Sequence, residues 1–415
     1  MTEISMDVVE EIRKRLEDEN SDGLREMVRI FAEVLMGAEV DAMCGARHGE
    51  RSPERVNHRN GFRSRRWDTR VGSIDLRIPK MRKGSYFPSG LLEPRRRSEK
   101  ALMNVVAECY VLGVSTRRVD RLVEQLGLQG ISKSQVSEIA KLLDGPVEDF
   151  RNRPLSGRTY PFVWLDALVV KARQGGRTIN AVVVVATGAS NEGIREVLGL
   201  DVFAGETEAA WLDFLRSLVN RGLSGVQLVT SDAHPGLVSA IQTTLPGSSW
   251  QRCRTHFMTN LLAKVDKSTR AFVATLVRTI FLQPDARSVW NRFWIVVEQL
   301  EPRFPEAARL LENSAHELLA FASFPTDLWT KIWSNNPQER LNKEIRRRTD
   351  VVGIFPNHGA IIRLVGALLC EQNDEWAIGR RYMSLSSLQL AKDPSRSFQP
   401  PTRREALPDS LPLSA

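Results

Sequence analysis

The sequence predicts an α/β core that is interrupted by an all-α insertion and preceded by an α+β region. Three strand-like runs follow one another between residues 160 and 202, and helix and strand patterns then alternate up to Arg252. A stretch over residues 262–332 has only helical periodicity. At 415 residues the chain can hold two or three domains. We therefore expect a core built from residues 155–261 and 333–385, with the helical insertion between them.

The amino-terminal part, residues 1–97, is predicted to combine helices with a basic β-ribbon. Apolar residues recur at helical spacing over residues 24–43, as in an amphipathic helix. The members of this stripe are Leu24, Met27, Val28, Phe31, Val34 and Leu35. Residues 59–79 instead alternate arginine or polar residues with apolar ones and are broken at Gly61 and Gly72. This ribbon fits either a satellite hairpin with a charged outer face or direct DNA contact through Arg63, Arg65 and Arg66.

The charge balance points to a polyanionic partner. The formal net charge is +8, and residues 51–97 are especially rich in arginine. Such an excess favours nucleic acid among the possible ligands. An arginine-rich but merely solvated surface is the alternative.

Residues 98–154 contain two short helices that begin alike. Residues 113–123 and 130–139 each run from a glycine through a serine, Ser115 or Ser132, into a helical pattern. This arrangement predicts a helix-turn-helix DNA-binding domain, although a plain structural hairpin has the same pattern. Its DNA-contacting side chains would be Arg117 and Arg118 in the first helix and Lys133, Ser134 and Gln135 in the second.

The core begins with three consecutive strands at residues 160–172, 178–188 and 194–202, joined by short glycine-containing connections. A helix at 207–221, a strand ending at Asp232, a helix at 235–244 and a strand at 249–252 follow. Three strands and then αβαβ is the order of a ribonuclease-H-like core. In that order the first and fourth strands lie side by side.

Three acidic residues stand out against this background. Asp166 lies in an apolar run over residues 161–170, where an unpaired carboxylate is costly to desolvate. Asp232 follows a strand directly, at the edge where α/β sheets place their sites. Glu339 lies on a polar helix and shares one face with Asn342 and Arg346.

Together the three carboxylates predict a site for two Mg²⁺ or Mn²⁺ ions, because hard oxygen ligands suit these metals. Taken singly, each has an ordinary explanation. Asp166 could be an edge residue, Asp232 a helix cap and Glu339 a member of a salt-bridged surface helix.

The remaining composition predicts a reduced cytoplasmic protein, associated with the nucleoid. The four cysteines are scattered, and the apolar runs are far shorter than the roughly 20 residues of a membrane span. We therefore expect no membrane partner. The tail, residues 386–415, is rich in Pro, Ser and Arg and is predicted to be disordered.

Several motifs together resemble the Mutator-type transposases of bacterial insertion sequences, a group with an Asp, Asp, Glu triad in a ribonuclease-H-like core. The matching strings are Arg59-Asn60-Gly61, Trp67-Asp68-Thr69-Arg70-Val71-Gly72, Lys83-Gly84-Ser85-Tyr86-Phe87-Pro88, Gly113-Val114-Ser115-Thr116-Arg117, Gly130-Ile131-Ser132-Lys133-Ser134-Gln135-Val136-Ser137, Ser231-Asp232-Ala233-His234, Glu339-Arg340-Leu341-Asn342 and Phe355-Pro356-Asn357. They extend over nearly all of the chain except the tail. Strings of this length are more specific than any single triad.

The resemblance implies a transposase that binds the inverted-repeat ends of an insertion sequence, as a dimer or higher homo-oligomer on DNA. It assigns Asp166, Asp232 and Glu339 to catalysis and leaves Glu344 out. Two metal ions would then activate water or a DNA 3′-hydroxyl and stabilise the leaving oxygen, with Asp166 bridging them. Two rival interpretations are a catalytically inactive DNA-binding regulator and a nuclease with the same fold.

A further match to the same family is the Cys-x-x-His element formed by Cys253 and His256. A structural zinc needs about four ligands, and no second Cys or His pair is evident. We expect a structural or DNA-positioning role for this pair instead. His234 is interpreted as a helix cap, with substrate contact as the alternative.

Overall fold

The computed structural model describes residues 22–69, 71–89, 91–92, 100–114, 116–125, 133–392 and 398–406. The chain divides into two compact units at the bond between Leu143 and Asp144. Among these residues, no helix combines the length and the apolar character needed to cross a membrane.

The first unit contains a long helix, a two-stranded antiparallel ribbon and three shorter helices. Its elements are α1 (Asp22–Cys44), β1 (Arg59–Thr69), β2 (Gly72–Met81), α2 (Lys100–Val111), α3 (Thr116–Gln125) and α4 (Lys133–Ala140). The predicted ribbon is present, and Gly72 forms its turn with φ 114°. Gly61, in contrast, does not end the strand. It lies inside β1, where the register shifts between Arg59 and Phe62, so it marks a bulge.

Helix α1 buries a different face from the stripe that the sequence predicted. Ala32, Met36 and Val40 are buried against apolar residues of the ribbon, whereas Phe31 is 64% exposed and Leu24 is 54% exposed. The helix carries apolar residues over more than one face. The ribbon therefore decides which of them become core.

Helices α2, α3 and α4 share a small apolar cluster. Its buried members are Met103, Val106, Ala107, Val119, Val123, Val136 and Ile139. Ser115, Ser132 and the connection over residues 126–132 lie outside the described residues, as do the side chains of Arg117 and Lys133. The helix-turn-helix therefore stays a prediction.

The second unit opens with a helix and continues with the predicted run of strands. These elements are α5 (Asp144–Asn152), β3 (Phe162–Gln174), β4 (Arg177–Ala189), β5 (Arg195–Phe203), α6 (Glu208–Asn220), β6 (Leu228–Ser231), α7 (Pro235–Thr244) and β7 (Ser249–Arg252). Helix α5 was predicted to belong to the preceding domain. It instead starts this unit, where Arg363 forms an ion pair with Asp144 at 2.6 Å.

Helices and one short strand make up the rest of the second unit. They are α8 (Arg254–Leu262), α9 (Arg270–Arg278), α10 (Ala286–Leu300), α11 (Pro305–Asn313), α12 (Ala315–Leu318), α13 (Thr326–Ile332), α14 (Asn336–Val352), β8 (Ile354–Phe355), α15 (His358–Ile378), α16 (Leu385–Ala391) and α17 (Arg403–Ala406). Every described element between β7 and α14 is a helix, as the periodicity of residues 262–332 predicts. That these helices form an insertion stays a prediction.

The sheet of the second unit is mixed, and its main path has the order β5-β4-β3-β6-β7. The first three strands along the chain pair antiparallel, and β6 and β7 are added parallel to β3. Strand β8 pairs with the far end of β3. The result is a mixed α/β architecture in which β3 is central.

The two faces of the sheet carry separate cores, because successive side chains of a strand point to opposite sides. On one face, Phe162 and Trp164 pack against the helical region. On the other, Val163 and Leu165 pack against α6 and α7. Trp290 and Trp329 are buried in the first of these cores.

Part of the carboxyl-terminal tail is ordered, in contrast to the disordered tail predicted for residues 386–415. Helix α16 and the segment 398–406 are both described. Trp294 Nε1 donates to Pro401 O at 3.2 Å, and Arg403 Nη2 lies 2.8 Å from Glu301 Oε2. The segment 398–406 is thus ordered by its contacts with the helical region, although it is polar and rich in proline.

Candidate active site

Asp166 and Asp232 reach the same edge of the sheet through the pairing of β3 with β6. The pairing is parallel and extends from Phe162–Leu228 to Trp164–Thr230. Strand β6 then ends at Ser231, so Asp232 follows it directly while β3 continues through Asp166. Burial raises the pKa of Asp166 to about 6, and the charges of Asp232 and Glu339 act in the same direction. The strand pairing thus leads Asp166 and Asp232 to the same edge of the sheet.

The start of α14 is attached to β3 beside Asp166. Asn335, at the N-cap position, is fully buried, and its Nδ2 donates to Leu165 O at 2.8 Å. Its backbone N–H donates to Cys253 Sγ at 3.3 Å. The pairing of β3 with β6 ends at Trp164, one residue before Leu165. The Leu165 carbonyl therefore accepts its hydrogen bond from the Asn335 side chain and not from β6. Glu339 follows in the first turn of α14.

One helical turn after Glu339, Asn342 contacts the first aspartate directly. Asn342 Nδ2 donates to Asp166 Oδ2 at 2.8 Å, while the backbone N–H of Ala167 donates to Asp166 Oδ1 at 3.0 Å. Both carboxylate oxygens are thus held in place. Arg346, on the predicted shared face, is exposed.

Glu344 lies apart from this group. Its carboxylate forms ion pairs with Arg347 at 3.2 Å and Arg348 at 2.6 Å on the same helix. This placement is consistent with leaving Glu344 out of the site.

Sequence reasoning missed the buried polar residues that support the acids. Gln338 Oε1 accepts from Thr187 Oγ1 at 2.7 Å, and both residues are fully buried. Thr187 sits opposite Trp164 in the β3–β4 pairing. In the sequence, this contact is indicated only by Thr187, a threonine within the apolar run of β4. Its partner Gln338 lies 151 positions further along the chain, so the contact could not be predicted.

Cys253 and His256 lie against the same group of acids. Cys253 is buried at the N-cap of α8, and its backbone N–H donates to Ser231 O at 2.7 Å. Hydrogen bonding to Cys253 raises the pKa of His256 to about 9, against the opposing effect of burial. The charges of Asp166 and Asp232 also favour the protonated imidazole.

His234 occupies the N-cap position of α7 but makes no side-chain hydrogen bond to that helix. Its backbone N–H instead donates to Asp232 Oδ1 at 3.4 Å, and its Nδ1 lies 3.8 Å from Glu206 Oε1. His234 therefore caps α7 by its position and not through a hydrogen bond from its side chain. Proline at the first helical position leaves one N–H fewer for the side chain to satisfy.

The three acids do not by themselves form a complete set of metal ligands. Within the described residues, no three His, Cys, Asp or Glu side chains are grouped tightly enough to hold a metal ion. Glu339 Oε1 is buried and has no hydrogen-bond partner in the described part of the chain. The site therefore offers oxygen ligands that its own polar groups leave partly unsatisfied.

The residues predicted to contact DNA lie in the first unit and are less distinctive. Arg63 Nη2 donates to Tyr86 O at 3.0 Å, and Arg66 Nη2 donates to Ser73 Oγ at 2.9 Å. The guanidinium of Arg65 lies 5.3 Å from the centre of the Phe87 ring. These contacts show a structural use for the ribbon arginines. Arg118, Ser134 and Gln135 are exposed.

Comparisons with known proteins give one consistent result. Residues 1–379 match the description "Transposase, Mutator family". The chain is 52% identical over 400 residues to the transposase for insertion sequence element IS1081 of Mycobacterium tuberculosis, covering 96% of each chain. It is 38% identical over 379 residues to the ISRM5 transposase of Rhizobium meliloti, covering 90% of this chain and 93% of the relative. It is 37% identical over 340 residues to the IS256 transposase of transposon Tn4001 from Staphylococcus aureus, covering 81% and 86%.

Proposed function

Because this chain belongs to the Mutator family of transposases, we propose that it cuts and joins the DNA ends of an insertion sequence at a site formed by Asp166, Asp232 and Glu339. The observation that carries the proposal is geometric: the parallel β3–β6 pairing leads Asp166 and Asp232 to one edge of the sheet, and the helix that carries Glu339 is hydrogen-bonded to Asp166 there. Asn342, which hydrogen-bonds Asp166, would complete the arrangement.

The proposal includes a ribonuclease-H-like core. The strand order β5-β4-β3-β6-β7 supports it, with three antiparallel strands followed by two parallel ones. In this topology the central strand and its parallel neighbour bring an acid each to adjacent positions. The helical region between β7 and α14 would be an insertion into that core, and α14 would return the third acid.

The donor set fits divalent ions such as Mg²⁺ or Mn²⁺. Burial that raises the pKa of Asp166, together with the unsatisfied Oε1 of Glu339, indicates carboxylates whose charge needs a cation. Asp166, Asp232 and Glu339 would hold two such ions. When bound, the ions would activate the attacking oxygen and stabilise the leaving one.

The chain's own groups have distinct parts in this chemistry. Asn342 and the Ala167 N–H fix the orientation of the Asp166 carboxylate, so its two oxygens face set directions before DNA arrives. Asn335 holds the start of α14, and hence Glu339, against β3. Hydrogen bonding to Cys253 and the charges of Asp166 and Asp232 raise the pKa of His256, which favours positive charge beside these acids. The nucleophile would be water for cleavage and a DNA 3′-hydroxyl for joining.

End recognition would fall to the first unit, with α3 and α4 as a helix-turn-helix. The exposed positions of Arg118, Ser134 and Gln135 support this assignment. Two transposon ends must be joined to one target, so the working form would be a dimer or higher oligomer on DNA.

Conservative substitutions of the acids test the proposal. Asp166→Asn, Asp232→Asn and Glu339→Gln should each lower cleavage and joining of inverted-repeat DNA in Mg²⁺ by at least about 100-fold, because several kcal/mol of transition-state stabilisation are lost. Binding to the same DNA should change little. Gel-based cleavage and strand-transfer assays measure the first, and fluorescence anisotropy the second.

Glu344→Gln is the matched control, because Glu344 lies on the same helix but is paired with Arg347 and Arg348. It should keep near-normal activity. Full activity in any one of the three acid variants would remove that residue from the site.

A further inference from the structure

A group of cations surrounds Tyr382 on the Trp164 face of the sheet. The guanidinium of Arg195 lies 3.9 Å from the Trp376 ring centre and 5.6 Å from that of Tyr382. Lys331 Nζ lies 5.6 Å from the same Tyr382 ring. Arg340, which is exposed and directly follows Glu339, adds a third cation at the start of α14.

These cations have no acidic counterpart. In the part of the chain that the structure describes, neither Arg195, Lys331 nor Arg340 forms an ion pair. Arg195 Nε and Nη2 are moreover buried without a hydrogen-bond partner among those residues. Buried donors of this kind are costly unless something accepts from them. A bound anion with several oxygens would do so.

The group lies next to the proposed active site. The Tyr382 ring meets Trp164 edge to face at 5.9 Å, and Trp164 lies two residues before Asp166 on the same face of β3. Arg340 directly follows Glu339 on α14. The cations therefore lie beside the acids rather than among them.

The loop that carries Tyr382 is firmly attached. The backbone N–H groups of Tyr382 and Met383 donate to Gly193 O at 2.8 and 3.1 Å. Arg380 and Arg381, in the same loop, are exposed. The Tyr382 ring, which both Arg195 and Lys331 approach, is thus held in place, and the same loop carries two further exposed cations.

We propose that Arg195, Lys331 and Arg340 form a binding site for a backbone phosphate of the DNA strand that enters the active site. This inference rests on the proposed function and adds to it a clamp for a phosphate flanking the one that reacts. Arginine donates to phosphate through a planar fork and lysine neutralises it as a point charge. A sequence-independent contact near the acids would hold the strand in position whatever its bases.

Lysine footprinting tests the site locally. The full-length protein is treated with an amine-acylating reagent in EDTA at low salt, with and without a long random-sequence duplex, and acylation is quantified by mass spectrometry. Lys331 should be protected several-fold by the duplex. Lys264, which is exposed and faces Glu306 at 3.7 Å, is the internal control and should react equally in both samples. Equal acylation of Lys331 with and without DNA, under conditions where anisotropy shows saturated binding, would overturn the proposal.

Charge removal gives a second test. Lys331→Gln and Arg340→Gln should each lower the slope of log Kd against log salt concentration by about 1, as expected for the loss of one phosphate contact. Arg216→Gln is the matched control. It removes an exposed cation from α6, which packs on the opposite face of the sheet. Arg195→Lys keeps the positive charge but loses the planar guanidinium and its paired N–H donors. It should therefore weaken DNA binding less than Arg195→Gln, which also removes the charge.

The outcomes separate the two proposals. If the slope of log Kd against log salt concentration is normal in Lys331→Gln and Arg340→Gln while Asp166→Asn still loses cleavage, only the phosphate site is contradicted. If the acid variants keep cleavage, the proposed catalytic site is contradicted, whatever the acylation of Lys331 shows.

Discussion

At the scale of single residues, the site depends on polar groups that the chain supplies to its own carboxylates. Asp166 has one oxygen held by the Ala167 N–H and the other by Asn342 Nδ2. The amide is neutral, so it orients the carboxylate without cancelling its charge. Asn342 is therefore a positioning residue for Asp166.

Asn342→Ala should reduce the cleavage rate by about 10- to 100-fold, the usual effect of losing a group that orients a metal ligand. The Mg²⁺ concentration for half-maximal activity should also rise, because Asp166 is no longer held. Titration of activity with Mg²⁺ measures this shift. Lys343→Ala, an exposed neighbour on the same helix, should leave both values unchanged. An unaltered Mg²⁺ requirement in Asn342→Ala would contradict the positioning role.

Cys253 and His256 should bind no zinc. The sulfur of Cys253 already accepts a hydrogen bond from the backbone N–H of Asn335, and the pair lacks the further ligands of a structural zinc site within the described residues. Elemental analysis of purified protein should find far less than one zinc per chain, and a chelator should stop catalysis without unfolding the protein. His256→Ala should still impair activity, because it removes a positive charge beside two acids. One zinc per chain that is lost in Cys253→Ser would show the opposite.

At the scale of elements, the loop between α15 and α16 depends on one glycine. Gly193 has φ 78°, and a Cβ there would lie 2.2 Å from Met383 O. The carbonyl oxygen of Gly193 accepts the two loop hydrogen bonds, from the backbone N–H groups of Tyr382 and Met383. The loop can therefore approach β5 only if residue 193 has no side chain.

Gly193→Ala should release this loop and destabilise the protein by at least about 1 kcal/mol more than Gly176→Ala. Gly176 has the same φ of 78° but open space around its Cβ position, so its substitution costs only the backbone strain. Thermal unfolding measures the difference. Trypsin should also cut faster after Arg380 and Arg381 in Gly193→Ala. Equal unfolding temperatures and equal cleavage in the two variants would show that the loop does not depend on Gly193.

At the scale of the whole molecule, the chain separates into two units at residue 143, each with apolar clusters of its own. The proposed acids all lie in the second unit. The ribbon and the paired helices predicted to read DNA lie in the first. This separation suggests that end recognition and chemistry can be measured apart.

A fragment ending at Leu143 should bind inverted-repeat DNA in preference to random DNA, and its affinity should fall steeply with salt, as when several phosphates are neutralised. A fragment starting at Asp144 should bind both DNAs equally, through sequence-independent contacts. Competition anisotropy with the two duplexes measures the preference. Selective binding by the second fragment, with none by the first, would reverse the assignment.

The local sequence by itself determined most elements of the second unit and the identity of the candidate acids. The three-strand run, α6, α7 and β7 all lie within two residues of their predicted bounds, because apolar periodicity and proline or glycine boundaries are local signals. Asp166 stood out for a similar reason, as a charge within an apolar strand. The motif strings were sufficient for the family, which the comparisons confirmed.

Only the tertiary structure decided which distant residues meet. The contacts of Asn335 with Leu165, of Gln338 with Thr187 and of Asn342 with Asp166 each join positions more than 150 apart in sequence. The buried face of α1 and the order of segment 398–406 were decided in the same way, by the surfaces packed against them. Periodicity shows that a face is apolar, but the free energy of burial depends on what covers it. That information lies in the partner element and not in the segment itself.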